Sequence, residues 1–236
     1  MSKSVKLANI LMFMLLAAGD VIYILTDNIL AKAVTSSLFV ILGVLNAISV
    51  IRKTTQNKKF VYLMIAGLFF AFLGDVVLEI QFCIGAALFA VGHILFFTSY
   101  LCLKKFSWKD LIPGVILFVP CLLLIVLAPI FDFGGILLEV VAIVYALIIS
   151  LMLGKAISNV IRKQSALTWL LAIGSFLFFF SDLMLLFSVF GGIRLCGILC
   201  LATYYPAEAI LAFAVLFAKD KSAKDTKQDQ NTNQNA

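Results

Sequence analysis

The sequence predicts an all-α integral membrane protein, a polytopic bundle of about eight transmembrane helices with both termini cytoplasmic. Three observations carry this prediction. Of the 236 residues, 64% are hydrophobic and 13% charged, with a mean hydropathy of +1.14. Water-soluble domains hold roughly 45–50% apolar and about 25% charged residues, and no globular fold hides this much apolar surface from water. The apolar residues also fall into runs close to the roughly 20 needed to cross a bilayer. Finally, the basic residues alternate from loop to loop as the positive-inside rule requires.

The spans follow in order. The first, 7–26, comes after Lys3 and Lys6. Ala17-Ala18-Gly19 offers a competing reading as a secretory cleavage site. The apolar run resumes at Val21-Ile22-Tyr23-Ile24-Leu25, however, and removing it would leave seven spans and spoil the charge pattern, so it is retained. Spans 34–51 and 60–80 flank a loop holding Arg52, Lys53, Lys58 and Lys59. Span 82–103 follows almost at once, as a tight hairpin, and ends at Lys104, Lys105 and Lys109. Spans 111–129 and 134–153 lead to Lys155, Arg162 and Lys163. Spans 166–190 and 193–218 meet at Gly191-Gly192 in a second hairpin, before Lys219, Lys221, Lys224 and Lys227.

Of 18 basic residues, all but Lys32 and Arg194 thus fall on one side, the cytoplasmic one. The net charge of +6 is an orientation signal, and a nucleic-acid partner is not expected. Residues 1–218 form one eight-span transmembrane domain in the cell membrane. The remainder, 219–236, is a polar tail too poor in apolar residues to order itself. Cysteines 83, 102, 121, 196 and 200 lie in spans and read as small apolar fillers.

Acids inside spans are costly and mark function by default. Asp27, Asp110 and Asp132 fall in loops, and three more in the tail. Asp20, Asp75, Glu79, Glu139, Asp182 and Glu208 lie in or at the ends of spans. Glu79 and Glu139, near span ends, read as solvated. Asp20, Asp75 and Asp182 each follow a small residue in an odd-numbered span, about 20–24 Å from the cytoplasmic edge. Three acids at one depth point to one shared polar chamber. His93, the lone histidine, lies about 16 Å into span 4, with Tyr204, Tyr205 and Glu208 at comparable depth in span 8. Phe178-Phe179-Phe180 reads as lipid-facing bulk.

The chemistry is bounded by what is present. One histidine does not make a multi-histidine zinc site; a carboxylate-only magnesium site survives as a weak option. There is no G-x-S-x-G elbow, and Ser181 lacks an obvious base. Paired carboxyls fit better, one neutral in an apolar setting and one ionised, as in acid–base hydrolysis.

At these residues the chain resembles the YhhN family, integral-membrane lysoplasmalogenases of bacteria and animals. Phe-Leu-Gly-Asp-Val-Val-Leu at 72–78, Gly92-His93-Ile94-Leu95-Phe96-Phe97, Phe179-Phe180-Ser181-Asp182 and Thr203-Tyr204-Tyr205 resemble its motifs in order over about 15–218. Lys32-Ala33-Val34-Thr35 sits at a Lys-Pro-Leu element. Ala33 replaces the proline, Phe97 a tyrosine, and Pro206 and Glu208 alter the last motif.

The resemblance implies hydrolysis of the vinyl ether bond of a lysoplasmalogen to a fatty aldehyde and glycerophosphocholine or glycerophosphoethanolamine, without metal or organic cofactor. Its substrate would be a lysophospholipid drawn from the membrane. Asp75 and Asp182 are then the acid and the stabilising base, in an order left open. His93, Tyr204 and Tyr205 would support them, with Asp20 and Glu208 as further members. Lys32 would be a phosphate contact, or else a snorkelling end-anchor.

Two other classes compete. A proton-coupled transporter of lipid or small molecules would use the Asp/His cluster as a relay, with Pro113, Pro120 and Pro129 breaking span 5. A non-catalytic membrane organiser would use the acids for assembly alone.

Overall fold

A computed structural model of the protein describes residues 3–52 and 57–218. The described residues are helical and contain no strand. Eight long helices run in order: α1 Lys3–Thr26, α2 Ile29–Ile51, α3 Lys58–Leu78, α4 Phe82–Leu103, α5 Leu111–Leu127, α6 Ile136–Arg162, α7 Ala166–Val189 and α8 Arg194–Ala214. All eight helical segments are long and apolar enough to cross a membrane. Short 3₁₀ turns precede α5 (Trp108–Asp110) and follow α8 (Val215–Phe217). Lys53 and the tail expected over 219–236 lie outside the described residues.

Antiparallel hairpins α3–α4, α5–α6 and α7–α8 are the main packing units, and α8 also packs against α1, α2 and α3. The α3–α4 contact is close because Gly85 lies against the α3 backbone. A Cβ there would sit 2.4 Å from the Leu78 Cα. The α7–α8 turn uses Gly192 at a φ of +67°, a conformation that side chains disfavour. α1 is an integral part of the bundle, with Asn9, Met12, Leu16, Asp20 and Tyr23 buried. The amides of Asn9 and Asn46 exchange two 3.0 Å hydrogen bonds between α1 and α2. Such a reciprocal pair satisfies polar groups that lipid cannot.

α2 and α6 run past their expected bounds because polar side chains in the extensions find partners. α2 starts at Ile29 rather than 34, because the Asn28 side chain accepts from the Leu30 N–H at 2.8 Å. Lys32, Thr35 and Ser36 then remain within the helix, buried, since each finds a polar partner there. α6 continues from 153 to Arg162 because its polar last turns are satisfied inside the protein. Lys155 is fully buried and donates to Asp110 at 2.6 Å; Ser158 donates to the other Asp110 oxygen. Asn159 donates to the Tyr100 carbonyl at 3.0 Å. Asp110 is therefore a buried clamp and no loop acid, and Lys155 is its partner instead of a solvated topology marker. α5 runs unbroken through Pro120, without the interruption a transporter reading invoked.

Candidate functional site

The polar side chains inside the bundle form two clusters. In the first, α1, α2, α3 and α8 converge. Lys32 on α2 lies 3.2 Å from Asp75 and 2.5 Å from Glu79, one helical turn apart on α3. Asp75 also accepts from Ser36, and from the Tyr205 hydroxyl at 3.1 Å. The Tyr23 hydroxyl donates to Glu79 at 2.8 Å. Lysine is 3% exposed and Asp75 3%, so this is a buried ion pair with its remaining lone pairs met by hydroxyl donors. Asp20, on α1, is buried and close enough to Asp75 for their charges to interact; its Oδ1 has no hydrogen-bond partner.

The second cluster joins α4, α6 and α7. The Tyr145 hydroxyl donates to Asp182 Oδ2 at 2.8 Å. His93 Nε2 is 2.8 Å from the same hydroxyl and 3.4 Å from Asp182. A phenol has one proton, so with that proton given to Asp182, Nε2 must carry a hydrogen and donate to Tyr145. The other ring nitrogen, Nδ1, is buried without a partner.

An aromatic wall stands between the clusters. Phe89, Phe178 and Tyr204 meet edge to face, with ring centroids 5.3–6.0 Å apart. Gly74 lets Phe89 lie against α3: a Cβ there would meet the ring at 2.8 Å. Among the described residues no hydrogen bond or ion pair links Asp75 to Asp182. The single chamber expected from equal depth is thus two sites, because bulky rings fill the space between α3, α4, α7 and α8. Tyr204 and Cys200 on α8 lie within electrostatic reach of both carboxyls.

Asp182 lines an open-sided apolar groove. Phe82, Phe89, Ile125, Ile149, Phe179 and Leu186 line it, among others. Asp182 is the one charged residue in its wall and Tyr145 the one hydroxyl. Such a groove, apolar with a few convergent polar groups, has the make-up of a small-molecule site.

A family model described as the YhhN family matches residues 27–215, which takes in α2 through α8. The chain belongs to the YhhN family. No curated relative and no solved structure matches it.

Several residues of this YhhN protein singled out in the sequence are placed by the structure as follows. Lys32 is no end-anchor, being buried in α2 and ion-paired. Glu79 is exposed, as expected near a span end, and is also bonded to Lys32 and Tyr23. Glu139 lies in the first turn of α6, partly exposed. Tyr205 belongs to the Asp75 cluster, whereas Tyr204 belongs to the wall, its hydroxyl 3.4 Å from the Ala71 carbonyl. Glu208 is fully buried, and neither carboxyl oxygen has a partner. Phe178 and Phe179 are wall and groove, not lipid-facing bulk. Ser181 turns to the Cys200 carbonyl, 2.9 Å away, and has no role beside Asp182.

Tyr23, Tyr145 and Ser36 are site residues that the sequence did not single out. Tyr145 is the one aromatic residue of α6, an available signal in a helix otherwise aliphatic at its centre. Ser36 follows Lys32 by four residues, on the same helical face.

Proposed function

We propose that this YhhN protein is a membrane hydrolase that opens the vinyl ether bond of lysoplasmalogens, releasing a fatty aldehyde and a glycerophospho-base. The observation that carries this is Asp182, held by Tyr145 and His93, in the wall of an otherwise apolar groove. The lysophospholipid's single hydrocarbon chain occupies the groove. Asp182 enters the reaction neutral and protonates the outer alkene carbon, leaving an oxocarbenium ion on the ether side. The resulting carboxylate stabilises that cation and takes a proton from the attacking water, giving a hemiacetal. Breakage of its bond to the glycerol oxygen yields the aldehyde, and the glycerol oxygen gains a proton. Acid and base roles of one carboxyl at successive steps follow the logic of glycoside hydrolysis. The cycle consumes one water and uses no metal or organic cofactor.

Asp75 is the member suited to remain ionised, having the Lys32 ammonium and two hydroxyl donors around it. It holds Lys32 in a buried ion pair on the far side of the ring wall. Tyr204 and Tyr205 close the side of α8, and Asp20 and Glu208 are accessory. The charge alternation supports placement in the cell membrane with both termini cytoplasmic and the reacting groups in the outer half.

The purified protein tests this with a lysolipid carrying a vinyl ether and its saturated alkyl counterpart. Aldehyde release from the vinyl ether alone is expected. Absence of aldehyde from every vinyl ether tried removes the hydrolase.

Glu208, buried with no partner, favours a second reading as a proton-coupled transporter in which it and Asp182 exchange protons. Substrate flux into liposomes driven by a pH gradient, with no product formed, is its signature.

A further inference from the structure

The loop between α4 and α5 is basic and aromatic by turns: Lys104-Lys105-Phe106-Ser107-Trp108-Lys109. Its backbone is pinned to α6. Arg162 donates from Nη1 to the Lys105 carbonyl at 2.8 Å. The Ser107 N–H donates at 2.9 Å to Asp110, which Lys155 and Ser158 hold from α6. Asp110 is buried, while Lys105, Phe106, Trp108 and Lys109 stand exposed. Trp108 is 80% exposed and Phe106 44%, and their rings meet edge to face with centroids 5.6 Å apart. Trp169, the other tryptophan of the chain, is half-exposed near the start of α7, just after Arg162 and Lys163.

Charge at this end of the bundle is one-sided. Among the described residues Asp110 is its one acid, and the buried Lys155 offsets that charge. Lys104, Lys105, Lys109 and Lys163 have no acidic partner among the described residues. Arg162 reaches to 3.5 Å from Asp110 and keeps further N–H donors beyond the one on the Lys105 carbonyl. Orienting a bundle in a membrane takes basic charge alone. It requires neither an exposed ring pair nor a backbone braced beneath it. Aromatic rings of this kind settle at the boundary between head groups and acyl chains, and clustered cations there meet lipid phosphates.

We propose that the 104–109 loop and the end of α6 form a docking surface for an anionic phospholipid of the surrounding membrane. Lys105, Lys109 and Arg162 face its phosphate, and Phe106 and Trp108 lie against the start of its acyl chains. A soluble anion would meet the cations and gain nothing from the rings, so a lipid is the occupant that uses both. The braced backbone lowers the ordering cost of binding. The surface stands at the opposite end of the bundle from the α3–α4 and α7–α8 turns, and the proposal is independent of the reaction proposed above.

Trp108 reports on its own surroundings. In a Trp169→Phe background it is the single tryptophan, and lipids brominated on their acyl chains quench its fluorescence on contact. The protein is reconstituted in phosphatidylcholine vesicles holding a small share of brominated phosphatidylglycerol or, in parallel, of brominated phosphatidylcholine. Quenching should correspond to a relative association at least about fivefold higher for the anionic lipid, as expected of one basic side chain beside a charged lipid. Lys105→Gln/Lys109→Gln should remove that preference. Lys3→Gln/Lys6→Gln, an equal loss of charge at the start of α1, should leave it within about twofold. Thermal unfolding near that of the background protein shows that both pairs are folded, and the comparison of the two lipids needs neither pair. Equal quenching by the two lipids overturns the proposal. So does an equal loss of preference with both pairs, which is the general attraction of a basic surface, or relief of quenching by added glycerol 3-phosphate, which marks a site for soluble anions.

Discussion

The Tyr145 hydroxyl stands between His93 and Asp182, 2.8 Å from each. Three helices thus meet through one phenol, and the Asp182 carboxyl is held by a side chain from α6 and another from α4. Tyr145→Phe keeps the ring in the groove wall and removes the hydrogen bonds to both neighbours. Turnover of a vinyl ether lysolipid should fall by about 10²-fold, within the range of lost acid–base assistance. KM should change little. Steady-state kinetics of the variant check this, and an unchanged kcat would remove Tyr145 from the reaction.

Lys32 and Asp75 should show non-additive stability. Removing the lysine alone leaves a buried carboxylate without its cation, a change that costs about 3–5 kcal/mol in other buried pairs. Lys32→Met should therefore lower the unfolding temperature markedly. The double variant Lys32→Met/Asp75→Leu should recover a large part of the loss, because both charges leave together. Unfolding of the four proteins in one detergent gives the coupling.

The close α3–α4 contact makes Gly85 intolerant. A methyl group there would press on the Leu78 backbone, which cannot swing away as a side chain does. Gly85→Ala should destabilise by about 1–3 kcal/mol. At Gly92 the nearest atom to an added Cβ is 3.2 Å away, so Gly92→Ala should be milder. Parallel thermal melts rank the two.

Ala142 lines the groove. Ala142→Trp should fill part of it, raising KM at least about tenfold for long-chain vinyl ethers and sparing short ones, since each buried CH₂ contributes about 0.8 kcal/mol. A chain-length series with the variant reads this directly, and equal effects on all lengths would place the chain elsewhere.

The eight helices were legible because bilayer thickness imposes a length and lipid excludes charge. The same exclusion made Asp20, Asp75, Asp182 and Glu208 stand out. What sequence did not reveal was which faces meet. Asp20, Asp75 and Asp182 share a depth, yet depth says nothing of rotation about the helix, and the rings of Phe89, Phe178 and Tyr204 divide them. Lys155 and Asp110 looked like loop charges because hydropathy cannot see that they neutralise each other inside the bundle. Tyr145 escaped notice because a tyrosine in an apolar helix is unremarkable until its neighbours are known.

The central claim is that the Asp182 proton opens the vinyl ether. Hydrolysis in ¹⁸O-water by wild type and Asp182→Asn, with both products followed by mass spectrometry, tests it most directly. Attack at the alkenyl carbon leaves the glycerol oxygen unlabelled, so the glycerophospho-base should carry no ¹⁸O, and the variant should release aldehyde at least about 10²-fold more slowly. Label in the glycerol hydroxyl, or turnover by Asp182→Asn at the wild-type rate, would contradict the account.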